Sequence, residues 1–319
     1  MRTTLLLLFA ATSFAASVKA VKVSGTMEVS IEGKSVTALH YGEKWDKPFV
    51  YPLQTPSGII VSRGWPVALR TGDSQDHIWH RGILFGHGDV NGVDFWRELG
   101  REKTGRFVPR SAPKWRRGTL TIEADMVPPK GKRLGSVREE FRFNRVGPAY
   151  IIDTRVSISA DAGVDLTLGD TEEAAFAVRL SEEFRQDRGA ALINSEGLKD
   201  TGNIWGRRAR WVDYSTTKDG RKVGVAIFDH PANPKHPTYW HARGYSLNSA
   251  NIFGVRSFTK DKTQDGAVVV KKGDSLTFRT GLSYTTVMPA RRALKPCTPA
   301  LLITKASNVA SRPAWNNSR

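Results

Sequence analysis

Apolar positions recur at period two along much of the chain. Val137, Glu139, Phe141 and Phe143 alternate with charged residues, residues 144–147 supply turn chemistry, and Tyr150, Ile152, Thr154, Val156 and Ile158 resume the alternation. Two such runs around a glycine-containing turn predict a long antiparallel hairpin. A second hairpin is predicted for residues 210–215 against 222–228, joined through Asp219-Gly220, a common tight-turn pair. Further strand patterns fall at 118–125, 164–169, 174–180, 267–270 and 275–284. Only residues 181–188 read as helical, with Ser181 placed to cap and Glu182 and Glu183 in the first turn. Many short strands, glycine turns and almost no helix indicate an all-β fold, a large antiparallel β-sandwich. Parallel pairing would need long crossovers, usually helical, and no such pattern is present.

The first residues break this pattern. Arg2 precedes an apolar run from Leu5 to Ala16, interrupted only by Thr12 and Ser13. Small residues then offer two cleavage points, after Ala15 or after Ala20. A positive start, a short apolar stretch and a small-residue exit predict a secretory signal peptide over 1–20 and a periplasmic or secreted protein. The run is shorter than the roughly 20 apolar residues that span a bilayer, and no later stretch is long enough, so no membrane span is expected after cleavage. No linker divides the rest, which reads as one sandwich domain over 21–304. Residues 305–319, rich in small and polar side chains, read as a frayed tail.

Composition alters this picture in two ways. A formal net charge of +17 raises the question of an anionic partner. The basic residues are spread along the chain, whereas a nucleic-acid binder concentrates them on one face or tail, so nucleic acid is not expected. An acidic glycan or cell-wall polymer fits the charge better, and generic surface charge fits equally well. Cys297 is the only cysteine, so no internal disulfide can form and the fold must rest on its core.

The candidate chemistry lies in histidine. Six of the seven histidines fall in two short segments, 76–96 and 228–241. The first carries His77, His80 and His87 with Arg81, Asp89, Asn91 and Asp94, the tryptophans Trp79 and Trp96, and four glycines at 82, 86, 88 and 92. Those glycines let the backbone adopt positive φ and approach a ligand closely. The second carries Asp229, His230, Asn233, His236, Trp240 and His241, with three prolines that exclude helix and central strand and predict a stiff polar loop. An internal echo, Asp76-His77 with Trp79-His80 against Asp229-His230 with Trp240-His241, suggests two matched loops across one cleft. An acidic patch, Gly169-Asp170-Thr171-Glu172-Glu173, follows a strand and offers Asp170 and Glu172 as further polar groups.

Three readings stay open at this point. Histidines and carboxylates can perform general acid/base chemistry on a sugar, with His80, His87 and His241 moving protons. Here Arg81 and Asp89 would fix hydroxyls and Trp79, Trp96 and Trp240 would stack on the rings. Three of the histidines could instead hold a metal ion with Asp76 or Asp229, although no zinc-type spacing is present. Asp–His pairs and prolines could also simply pin two long loops. A non-catalytic glycan-binding module is the alternative to an enzyme, and the sequence leaves any cofactor unknown.

Five stretches carry a resemblance. They are Tyr51-Pro52-Leu53 with Thr55-Pro56-Ser57-Gly58; residues 76–96; Gly169-Asp170-Thr171; Trp211-Val212-Asp213-Tyr214; and residues 228–241. The chain is similar, across residues 51–254, to a family of exported bacterial proteins that bear the inherited label "methane oxygenase PmoA". Ile78 and Trp79 stand where that family's pattern has more variable residues or a proline. The authentic methane monooxygenase subunit is an integral membrane protein, whereas no spanning segment is expected here, so the label's chemistry is not carried over. What the resemblance implies is a carbohydrate-processing style of protein. Its β-rich pattern is similar to the galactose mutarotase group, which uses histidine and a carboxylate for proton transfer on sugars; a fold-level likeness does not establish function.

Overall fold

The computed structural model describes residues 16–286. Residues 1–15 of the expected leader, Cys297 and the expected tail 305–319 lie outside them. In chain order the strands are β1 (Val18–Val23), β2 (Thr26–Ile31), β3 (Lys34–His40), β4 (Phe49–Val50), β5 (Ile83–His87), β6 (Arg106–Pro109), β7 (Lys114–Arg116), β8 (Thr119–Val127), β9 (Gly135–Val146) and β10 (Ala149–Ser159). They continue as β11 (Leu166–Leu168), β12 (Ala174–Arg179), β13 (Ala191–Asn194), β14 (Trp211–Lys218), β15 (Arg221–Asp229), β16 (Tyr239–Arg243), β17 (Leu247–Asn251), β18 (Val268–Val270) and β19 (Ser275–Thr285). Two short helices, α1 (Thr201–Ile204) and α2 (Val255–Thr259), complete the set. No helix among the described residues is long and apolar enough to cross a membrane.

Two large antiparallel sheets pack face to face. The first runs β1-β2-β3-β4-β5-β12-β17-β16 and the second β13-β14-β15-β19-β10-β9-β8-β6, with β7 on β8 and β11-β18 as a separate ribbon. Between them lies an apolar core in which Val50, Ile83, Phe176, Val178 and Trp240 of the first sheet meet Phe141, Ile152, Tyr214, Ile227 and Leu282 of the second. The predicted hairpins are β9–β10 and β14–β15. In the latter, Asp219 and Gly220 both take positive φ (50° and 71°), as a turn matched to the twist of its strands requires.

Three expectations about elements change. Residues 181–188 form two single 3₁₀ turns instead of a helix, because Arg185 between them is extended and Ser181 makes no side-chain cap. Glu182 and Phe184 are buried by tertiary packing, which overrides the local helical signal. The stiff loop also ends sooner than expected. Trp240 and His241 belong to β16, paired with β17. At the other end of the chain, β1 begins at Val18, within the segment read as leader.

Candidate functional site

One register row crosses the first sheet on its outer side. It runs His40, Phe49, Leu84, Ala177, Ser249, His241, each opposite the next. Because side chains alternate on strands, Arg179 of β12 and Arg243 of β16 share that face, flanking Leu247. The centre of the floor is built from small residues, and Gly86 shows why. A Cβ there would lie 3.1 Å from the Trp96 ring, so the absent side chain lets the indole lie against the sheet.

The turn before β5 delivers His77 and His80 to the same face. Buried Arg63 clamps this turn by donating to the carbonyls of Asp76, His77 and His80 at 2.9–3.0 Å. Gly82 lets the turn run close to β4: a Cβ there would sit 2.0 Å from the Val50 carbonyl oxygen, and its φ is +46°. The imidazoles of His77 and His80 stack at 4.9 Å, and Tyr245 stacks on His77 at 5.5 Å. His77 itself takes positive φ (44°), a conformation non-glycine residues adopt rarely and retain where the surroundings enforce it.

Two carboxylate–histidine pairs result. His77 Nδ1 lies 2.7 Å from Asp76 Oδ2, while Asp76 Oδ1 meets Arg63 at 2.5 Å and Arg179 at 3.0 Å. Burial opposes ionisation of Asp76, but the His77 contact and the two guanidiniums hold its carboxyl far below the usual range. Across the sheet, His241 Nδ1 is 3.3 Å from Glu172 Oε2. That contact, with Arg243 and Arg97 nearby, holds Glu172 below its ordinary value. Arg97 bridges Asp94 (3.0 Å) and Glu173 (3.3 Å), closing the rim. His77, Asp76, Glu172, Glu173 and Arg97 all keep between a fifth and two fifths of their side chains exposed. His80, buried beneath them and beside Arg179, is pushed well below the usual imidazole range, chiefly by burial. Neither of its ring nitrogens, nor Nε1 of Trp79 or Trp96, has a hydrogen-bond partner within the described residues.

The remaining candidates take other positions. His87 points between the sheets against Phe253, and burial drives it down to about 3. Trp240 also faces inward, its indole donating to the Ala209 carbonyl at 2.8 Å, so it offers no platform to a sugar. Arg81 is buried against Glu98 and the rings of Trp45 and Phe49, and Lys47 joins the same carboxylate at 3.5 Å. Asp89 and Asn91 tie turns through Gly92 and Thr167, and Asp94 accepts from the Trp96 and Arg97 amides. Asp170 accepts from the Arg256 and Gly266 amides.

The second loop is pinned to itself. Asp229 holds His236 Nδ1 (2.6 Å), Asn233 Nδ2 (2.7 Å) and the Thr238 amide (2.9 Å), and His230 accepts from the Ala232 amide. Of its histidines only His241 reaches the cleft face. The matched-loop expectation therefore does not hold: His77 and His80 come from a turn, His241 from a strand, and Asp229 closes a strand of the opposite sheet. Among the described residues, no group of three or more histidine, cysteine or acidic side chains is placed to hold a metal ion.

Sequence reasoning did not single out Arg97, Arg179, Arg243 or Tyr245. A lone arginine on the alternating face of an apolar strand, as in residues 174–179, was the available signal for Arg179.

Several solved structures are similar in fold. A galactose mutarotase-like protein from Clostridium acetobutylicum covers 86% of this chain and 99% of its own, at 10% identity and TM-score 0.37. A galactose mutarotase related enzyme from Lactobacillus acidophilus covers 86% and 100%, at 8% identity and TM-score 0.34. The 4-alpha-glucanotransferase from Thermococcus litoralis covers 86% and 40%, at 9% identity and TM-score 0.33. At this level of likeness the functional reading rests on the site itself. No curated protein matches the sequence. Residues 26–293 match DUF6807, a family of unknown function, and the chain belongs to that family.

Proposed function

We propose that the protein is an exported, carbohydrate-active enzyme working by acid/base chemistry on the outer face of the first sheet. The observation that carries this reading is two carboxylate–histidine pairs on one face lined with tryptophan and arginine: Asp76–His77, hydrogen-bonded at 2.7 Å, and Glu172–His241, in contact at 3.3 Å. Asp76 fixes the His77 ring through Nδ1 and leaves Nε2 to exchange a proton. Glu172, ionised at neutral pH, accepts a proton from a sugar hydroxyl or a water, and His241 steadies the charge. Trp79, partly exposed, contributes a ring face for the apolar side of a sugar, while fully buried Trp96 supports the floor from below.

The test is a turnover screen against oligosaccharides and free aldoses, followed by variants. Glu172→Gln and His77→Ala are each expected to lower turnover by about 10²–10⁴-fold while sugar binding persists. Wild-type turnover in both variants, or binding with no turnover by the native protein on any sugar, would sink the catalytic reading. The second result would mark a glycan-binding module.

A further inference from the structure

The guanidiniums on the cleft face differ in one respect. Arg63 and Arg179 share Asp76, Arg81 meets Glu98, and Arg97 meets Asp94 and Glu173. Among the described residues, Arg243 has no carboxylate within ion-pair distance. It stands two residues beyond His241 on the same face of β16, half-buried, with its guanidinium 5.9 Å from the Trp205 ring and 5.8 Å from the Tyr245 ring. The two rings restrict its rotamers and the Tyr245 hydroxyl takes one of its donors, while Glu172 feels its charge from beyond ion-pair distance, so part of the fork is left for a ligand. Arg179, also over Tyr245 at 4.8 Å, adds positive potential from below, and its Nε and Nη1 are buried without a partner.

Near Arg243 the surface opens into a shallow groove of about 360 Å³ lined by Arg185, Gln186, Asp187, Thr201, Gly244 and Tyr245, in which Asp187 is paired with Arg185 at 2.6 Å. Tyr245 lines this groove, stacks on His77 and lies 5.8 Å from the Arg243 guanidinium, so it links the groove to both.

We propose that the sugar handled here is acidic, of the uronic-acid class, and that Arg243 receives its carboxylate. One planar fork with two parallel N–H donors matches a two-oxygen carboxylate. Glu172 repels the same group, so an acidic sugar enters in one orientation, carboxylate toward the groove and reacting carbon toward Glu172 and His77. The net charge of +17 favours approach of such polymers. This inference rests on the carbohydrate reading above and adds a substrate class to it.

The experiment is titration calorimetry of the wild-type protein with oligomers of galacturonate, glucuronate and mannuronate, each beside its methyl ester, which keeps the ring and removes the charge. At least one acid is expected to bind about 10- to 100-fold more tightly than its ester, with the advantage shrinking as salt rises. Arg243→Gln should bring the acid-to-ester ratio to about one, and Arg243→Lys should keep part of it. A wild-type ratio near one, or an Arg243→Gln variant that retains the preference, overturns the proposal. If esters bind as well as acids, the carboxylate assignment falls and the carbohydrate reading stands; if neither binds, both fall. Equal preference for sulfated neutral oligomers over unsulfated ones also overturns it, since a general anion site would then suffice. Should Arg243→Gln fail to fold, the wild-type ester ratio and its salt dependence still decide.

Discussion

A carboxyl group enclosed by apolar side chains keeps its proton until the pH is high enough to force the charge. Glu139 is such a group. It lies in the row Ile122, Glu139, Val156, Phe278, facing the sandwich interior, and burial pushes it up to about 8. Its unfolded value is near 4.3. The folded state therefore binds the extra proton between these values, and stability present below pH ~4 declines as pH rises toward 8. Glu139→Gln is expected to flatten that decline; chemical denaturation of both proteins from pH 4 to 9 would show it, and parallel curves would contradict it. The inward position of Glu139 was legible from the alternation of residues 137–143. Whether an inward histidine finds the core or the cleft was not, because His80 and His87 both follow aromatic or glycine neighbours and differ only in which sheet face their local backbone presents.

At the scale of elements, the loop between β15 and β16 is organised by one carboxylate. Asp229 accepts from three groups at once, and its removal leaves buried donors without partners. Asp229→Ala is expected to cost about 2–4 kcal/mol of stability without the loss of turnover expected on changing Glu172. A thermal melt beside a turnover assay separates the two; full stability with lost turnover would move Asp229 into the chemistry. The prolines correctly announced a stiff loop, and the strand that follows it stayed hidden because residues 239–243 lack the plain alternation of a half-exposed strand: β16 is largely buried on both faces. A similar argument bears on the leader. β1 pairs with β2 from Val18 onward, so cleavage after Ala20 would remove half of that strand, whereas cleavage after Ala15 leaves it whole. We propose the latter; N-terminal sequencing of protein recovered from the medium or periplasm should begin at Ala16, and a start at Val21 would contradict it.

For the molecule as a whole, the site depends on an eight-stranded sheet that brings distant segments into register. Phe49, Leu84, Ala177, Ser249 and His241 are neighbours only because β4, β5, β12, β17 and β16 lie side by side. Most of the second sheet is inserted between β5 and β12, so the two halves of the cleft are separated in sequence by the strands that form the opposite layer. The charges follow the same logic. A spread of basic residues with no local run becomes, after folding, a set of guanidiniums on one face, most of them paired with carboxylates and Arg243 set over aromatic rings.

The sequence by itself determined the all-β class, the antiparallel hairpins at 135–159 and 211–229, and the inward faces of their strands, because each is set by side-chain periodicity and turn residues over a few positions. It also marked the segments that supply the cleft histidines. Only the tertiary structure decided which of those histidines meet. It places His77, His80 and His241 on one outer face, turns His87 into the core and leaves His230 and His236 on a self-pinned loop. The reason is physical: register between strands far apart in sequence, and the face each presents, are fixed by packing across both sheets, which no local pattern encodes.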